Sequence, residues 1–141
     1  VCYYYKGNAT AALVYDPLND ELFTAISGRG AQINQRRTHK SNVKELSQVI
    51  CSIEGQAGYQ HEIESKVRTI RRLGCTSLTL CYVACGRLDM AVFESPHLWD
   101  IAAGKLIAEE SGVLCYNSSK SPYHIGDKTL YASNEFIRDG L

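Results

Sequence analysis

What the 141 residues lack narrows the field before any motif is read. No unbroken apolar run approaches the ~20 residues that a membrane-spanning helix requires, so no span is expected in this sequence. Neither sign of charge dominates: 15 Lys and Arg meet 15 Asp and Glu, which leaves no basic tail for nucleic acid and no acidic disordered arm. The six cysteines (Cys2, Cys51, Cys75, Cys81, Cys85, Cys115) include no Cys-x-x-Cys pair, and no Cys/His set has zinc-finger spacing. They fit small buried thiols in a reducing cytosol, and a cytoplasmic location is the expectation. There is no initiator Met and no secretory signal pattern. Because strand-like sequence begins at Val1, the chain is expected to be a piece of something longer, a processed mature end being the alternative.

What is present is an ordinary globular composition over one domain's length of chain. "ATAALVYDP" has the make-up of a strand, closed by the turn "DPLND", where Pro17 takes the second turn position and Asn19 and Asp20 follow. "ELFTAI" returns, "SGRG" turns again, and "AQIN" follows, so residues 1 to about 40 read as consecutive antiparallel hairpins. Beyond them strand and helix alternate. "SQVICSIEG" predicts a strand. "YQHEIESKVRTIRRLG" carries Ile63, Val67 and Ile70 at helical spacing and predicts a helix stopping at Gly74, and "TSLTLCYVACG" predicts one closed by Gly86. "RLDMAVFES" follows as a strand, Ile101 to Glu110 as a helix ended by Gly112, and "GVLCYN" and "KTLYASN" as two further strands. The expected fold class is layered, α+β or α/β: antiparallel hairpins over residues 1–46, then a mixed sheet packed with helices over 47–141.

Several stretches carry polar residues suited to chemistry. "SGRGAQ" opens like a glycine-rich phosphate loop but lacks the third glycine and leads into a strand, whereas a dinucleotide loop opens a helix; a hairpin turn is the better reading. "DPLND" pairs carboxylates, yet between two strands Asp16 fits the acceptor of an Asx-type turn bond. His39, His61, His97 and His124 are scattered without partner spacing and fit surface or supporting roles. "RRLGCTSL" leaves two readings open. Gly74 allows close backbone approach, and free N–H groups where Cys75, Thr76 and Ser77 open a helix can hold an anion; or Thr76 or Ser77 simply caps that helix. Asp100, in "HLWDIAAGKLIAEESG", is likewise either an N-cap worth ~1 kcal/mol or a metal ligand, and the second role needs further oxygens at the same point. Glu94 lies a strand end and a short loop away, near enough to face the same cleft.

Together, "LVYDPLNDELFTAISGRGAQIN", "RRLGCTSLTLCYVACGRLDMAVFE" and "WDIAAGKLIAEESGV", in this order and spacing, resemble the inositol monophosphatase family. Its members are Mg²⁺-dependent, Li⁺-sensitive phosphatases of sugar and nucleotide phosphates. The resemblance covers essentially the whole chain, but only the C-terminal half or so of a full-length member. It implies part of the alternating α-β-α-β-α sugar phosphatase fold, with 1–46 supplying strands of the first sheet and 47–141 the C-terminal subdomain that carries the Trp-Asp helix. It implies that Asp100 ligates a catalytic Mg²⁺ at a helix start, and that the small residues after it let this helix pack closely against the sheet. Gly74, Cys75 and Thr76 match the stretch whose backbone contacts substrate, and Glu94 matches the acid that reaches a substrate hydroxyl. A small phosphorylated metabolite as substrate, inhibition by Li⁺, no nucleic-acid or membrane partner, and a homodimer in the full-length protein complete the implied picture.

The chain also departs from the family. Cys75 stands where members usually carry Ser or Thr, which keeps the backbone donors and weakens the side-chain hydrogen bond. "ESPHLWD" is one residue tighter than the common spacing, the stretch between Ser52 and Arg71 is shorter than usual, and the terminal helix is nearly absent after Asn134. The Asp-Pro-x-Asp-Gly-Thr motif and its preceding glutamate, which supply most of the family's metal ligands and orient the attacking water, have no counterpart here. One carboxylate cannot hold Mg²⁺ in octahedral geometry. The 141 residues alone are therefore expected to be a poor catalyst or none, and inositol phosphate, fructose bisphosphate and adenosine bisphosphate are not distinguished. A non-catalytic remnant that binds a partner is the competing expectation.

Overall fold

The computed structural model describes residues 1–55 and 60–141. The chain opens as an antiparallel meander of β1 (Cys2–Tyr5), β2 (Asn8–Asp16), β3 (Glu21–Ile26), β4 (Gly30–Ile33) and β5 (Arg36–Arg37), lying side by side in chain order. Alternation along these strands gives the sheet two different faces. Ala12, Phe23, Ala25 and Ala31 are buried, whereas Leu13, Tyr15, Leu22 and Ile26 point the other way and are exposed. Asp16 fixes the β2–β3 turn, its carboxylate accepting the Leu18 N–H at 3.0 Å and the Asn19 side-chain amide at 2.7 Å. Those donors, Asn19 foremost, hold its pKa below the ordinary carboxylate value.

The second sheet is mixed. Its central β6 (Ile50–Glu54) runs parallel to β7 (Thr69–Arg71) on one side and to β8 (Met90–Glu94) on the other. β10 (Thr129–Ser133) then lies antiparallel to β8 and to the edge strand β9 (Leu114–Tyr116). Four helices pack on this sheet: α1 (Gln60–Lys66), α2 (Thr76–Ala84), α3 (Leu98–Glu110) and α4 (Glu135–Gly140). One face of the sheet, with Ala91, Phe93, Leu130 and Ala132, shares the main core with α2, α3 and the inner face of the first sheet. The opposite face, with Cys51, Ile53, Met90 and Val92, packs against Ile63 of α1 and Ile137 of α4. Each fully buried Phe, Leu or Ile here contributes about 1.5–3 kcal/mol by leaving water. No helix of the described residues is long and apolar enough to cross a membrane.

The expected single helix ending at Gly74 is a shorter helix followed by a strand. Tyr59, where it was to begin, lies outside the described residues; α1 stops at Lys66, and Thr69–Arg71 forms β7. Ile63, Val67 and Ile70 all reach the smaller core, so the apolar spacing that suggests a helix is met by two elements in succession. The strand wins locally because Ile50, Cys51 and Ser52 of β6 find backbone partners in Thr69, Ile70 and Arg71, and β-branched Thr69 and Ile70 favour that conformation. Gly112 does end α3 as expected. At φ +87° its N–H bonds the Glu109 carbonyl at 2.9 Å, and the Val113 N–H bonds that of Ala108 at 3.0 Å, the pair of bonds that closes a Schellman stop.

Candidate active site at a topological switch point

β6 and β7 are parallel neighbours that feed helices on opposite faces of the sheet: α1 packs on the smaller core and α2 on the main one. In open α/β sheets ligands bind outside the carboxyl ends of strands at such a divergence. Three segments converge there: Glu54 and Gly55 at the end of β6, Gly74 to Thr76 after β7, and Glu94 at the end of β8. Gly55, at φ +104°, is required by this convergence, since a Cβ on it would lie 2.9 Å from the Cβ of Glu94. Gly74, at φ +70°, takes the left-handed turn that delivers the chain into α2. The N-cap of α2 is Cys75, extended at φ −143° and ψ 104°, with no side-chain cap bond. Of the two readings left open by "RRLGCTSL", the plain cap is thus removed: Thr76 begins the helix, and Ser77 turns its Oγ–H to the Asp100 carbonyl at 2.6 Å.

Asp100 is not the N-cap of its helix. α3 begins at Leu98 with His97 as N-cap, and Asp100 sits in the first turn, its N–H bonding the His97 carbonyl at 3.0 Å. The helix starts early because His97, just after Pro96, holds φ −77° and ψ 145°, the conformation of a cap. A carboxylate in the first turn still faces the positive end of the helix dipole. Trp99 beside it is 77% exposed and stacks on His97 with ring centroids 4.4 Å apart. α3 packs on the first sheet, as expected, with Ala103 in the core shared with Ala12, Phe23 and Ala25, and Gly104 also brings it against α2. A Cβ on Gly104 would lie 2.8 Å from the Cβ of Leu80 and 2.9 Å from the Ser77 carbonyl oxygen. Gly104 and the Ser77–Asp100 bond together draw the two helix starts into one place, beside a cleft of about 350 Å³ lined by Ser77, Trp99, Ala102 and Tyr4.

The donor set tests the implied Mg²⁺. Among the described residues no group of three or more His, Cys, Asp or Glu side chains is arranged to hold a metal ion. Asp100 alone falls short of the several oxygens Mg²⁺ demands. Other readings are settled more simply. The amides of "SGRG" are already taken, the Gly28 and Gly30 N–H groups donating to the Glu110 carboxylate at 2.8 and 2.7 Å, so this turn is a clasp between β3–β4 and α3. His39, His61, His97 and His124 are all exposed. The six cysteines are free; Cys51, Cys81 and Cys115 are buried, Cys2 and Cys85 half-buried, and Cys75 exposed. Burial pushes the Cys51 thiol up to about 12 and raises Cys81 and Cys115 as well. Glu54 and Gly55 escaped sequence reasoning, and Ser77, read there as a helix opener or cap, donates instead to the Asp100 carbonyl. The Glu-Gly pair at the end of β6 was the available signal for the first two, a glycine where the strand must make room for a neighbour.

The sequence profile described as the inositol monophosphatase family matches residues 1–140. Inositol monophosphatase 2 of Solanum lycopersicum is 36% identical over 143 residues, which cover 92% of this chain and 53% of the relative. Nus factor SuhB of Pasteurella multocida is 36% identical over 147 residues, covering 96% of this chain and 55% of the relative. The solved structure of the Thermotoga maritima IMPase, 29% identical, superposes with a TM-score of 0.92 over 99% of this chain and 56% of its own. The chain spans about half the length of the relatives it matches. A mixed α/β architecture shared with a solved IMPase and a family profile matched along nearly every residue lead to one conclusion: the chain belongs to the inositol monophosphatase family.

Proposed function

We propose that the chain is the substrate-facing part of a phosphate monoester hydrolase that acts on a small sugar or inositol phosphate, with Mg²⁺ as cofactor and Li⁺ as inhibitor. One observation carries the reading: two helix starts without side-chain caps, those of α2 and α3, are tied together by the Ser77–Asp100 bond near the carboxyl ends of β6, β7 and β8. Backbone N–H groups at Cys75 and Thr76 donate to the substrate, as a helix N-terminus does for oxygen-rich ligands. Glu94, exposed at its strand end, accepts from a substrate hydroxyl. Asp100 contributes one carboxylate to a metal centre whose other oxygens come from outside the described residues. Those residues alone do not hold Mg²⁺, so binding and orientation of substrate, rather than hydrolysis, are what they perform by themselves. Full-length protein is proposed to be a cytoplasmic homodimer.

The test joins this chain to the residues of the Thermotoga maritima IMPase that lie outside the match, and measures phosphate release from inositol 1-phosphate with and without Mg²⁺. Turnover is expected from the chimera and none from the chain alone. Asp100→Asn, which keeps size and removes charge, should lower kcat/KM by about two orders of magnitude or more, since even supporting residues around a metal cost 10–100-fold. Activity surviving within severalfold would remove Asp100 from the metal. Adenosine bisphosphate and fructose bisphosphate are the competing substrates to assay in the same preparation. A second, non-catalytic reading is favoured by the lone carboxylate and by a relative that bears the name of a Nus factor. A correctly folded chimera that binds no Mg²⁺ and hydrolyses none of these esters would establish it.

A further inference from the structure

We propose that Glu54 is a positioning residue for the substrate-binding loop Gly74–Thr76; the proposal rests on the reading of that loop as substrate-facing backbone. Glu54 is the last residue of β6, in register with Phe93 of β8. Partners in a parallel pair project to the same face, and Phe93 lies in the core that contains α2. The Glu54 side chain is accordingly half-buried beneath the loop that enters α2, and its Oε1 accepts the Gly74 N–H at 3.3 Å. The hydroxyl of fully buried Ser52 donates to the same oxygen at 3.4 Å and holds the carboxylate from below.

The loop has few other restraints. Gly74 occupies a left-handed conformation with open space around it, Gly74 and Cys75 are exposed, and Cys75 provides no side-chain cap. A hydrogen bond to an ionised acceptor is about twice as strong as a neutral one, so Glu54 is the group able to hold the loop's entry in one orientation. The next residue, Gly55, makes room for Glu94. One strand end therefore sets both halves of the proposed substrate site, the backbone donors through Glu54 and the acidic acceptor through Gly55. Glu54 is assigned no contact with substrate; it acts through the Gly74 amide.

The experiment uses the full 141-residue chain labelled with ¹⁵N, alongside Glu54→Gln and Glu54→Ala. An amide held by an acceptor exchanges with solvent more slowly than a free one. The Gly74 amide should exchange faster in Glu54→Ala than in the parent, with Glu54→Gln between them. Glu54→Gln keeps an acceptor oxygen and should leave Cys75 and Thr76 near their parent positions, whereas Glu54→Ala should displace both. A Gly74 amide whose exchange rate and resonance are unchanged in Glu54→Ala overturns the anchoring. Neither measurement needs turnover, so their failure is separable from failure of the phosphatase reading. In the active chimera, Glu54→Ala should raise KM about tenfold, the scale of one lost charge-assisted hydrogen bond, with kcat nearly unchanged. Unchanged KM makes Glu54 merely structural and overturns the positioning role. A chimera with no turnover refutes the substrate reading on which the role depends, and with it the role.

Discussion

Cys75 combines a helix start, an exposed position and no cap bond, and this sets it apart from the other five thiols. A reagent reaches only an accessible sulfur, and an apolar interior both hides a thiol and disfavours its reactive thiolate. Burial raises the pKa of Cys81 on the same helix, and Cys85 at the other end is raised for the same leading reason. Iodoacetamide on the native chain, mapped by mass spectrometry, should therefore label Cys75 well before Cys81, Cys51 or Cys115. Inorganic phosphate should slow that labelling if the amides at the helix start receive an anion. Labelling of Cys75 no faster than of Cys81 would mean that the loop is closed over its own donors. At this scale the sequence was informative about identity and less so about local role. Gly74, Cys75, Thr76 and Glu94 lie on segments that end at the switch point, and Asp100 lies in the first turn of α3. Its place there, rather than at the cap, was not legible, because a Ser-Pro-His approach gives no polar cap signal and the helix start is concealed until Pro96 and His97 are seen in place. Glu54 was hidden for a simpler reason: an acid at a strand end carries no periodicity.

Between elements, the approach of α3 to α2 sets how closely the starts of the two helices come together. Gly104 sits inside a helix, where replacing it by Ala should by itself stabilise by about 1 kcal/mol. Against that gain stands a Cβ only 2.9 Å from the Ser77 carbonyl oxygen, a backbone atom that cannot rotate away, and 2.8 Å from the Cβ of Leu80. Overpacking of this kind costs about 1–3 kcal/mol, and with a backbone oxygen as the obstacle the clash wins, so Gly104→Ala should be net destabilising by up to about 2 kcal/mol. Urea denaturation of the two proteins measures it, and a stabilised variant would show that the helices are not in close contact. The elements themselves were largely legible. Alternation marked β2 and β3, helical spacing marked α2 and most of α3, and glycines marked the stops. β7 was not legible, because Val67 and Ile70 fit a helix and a strand equally well until the open edge of β6 is there to choose. The purpose of "AAG" was half legible: smallness announces a close contact, and only the fold names α2 as a further partner.

Over the whole molecule, two cores lie on opposite faces of the second sheet, and three thiols are sealed into them. Cys81 and Cys115 belong to the main core and Cys51 to the smaller one. The outer face of the first sheet, by contrast, leaves Leu13, Tyr15, Leu22 and Ile26 exposed. Ionisation of the thiols links these cores to pH. In the unfolded chain a cysteine ionises near its ordinary value of 9.0, while burial raises that of Cys51 to about 12 and raises Cys81 and Cys115 too. A folded-state pKa above the unfolded one contributes stability that is complete below the unfolded value and is lost as pH climbs towards the folded one. Stability should therefore be level up to about pH 8 and fall between pH 9 and 12. By pH 10 each of the three thiols has removed about 1.4 kcal/mol, the worth of one pH unit beyond 9. Urea midpoints at pH 8 and pH 10 under reducing conditions give the measurement. Cys51→Ala supplies the control: whatever it does to stability at pH 8, it should reduce the loss between the two pH values by about 1.4 kcal/mol, because one linked proton is gone. A midpoint that does not move between pH 8 and 10 would place the thiols in contact with water, and the two cores could not then be closed as described.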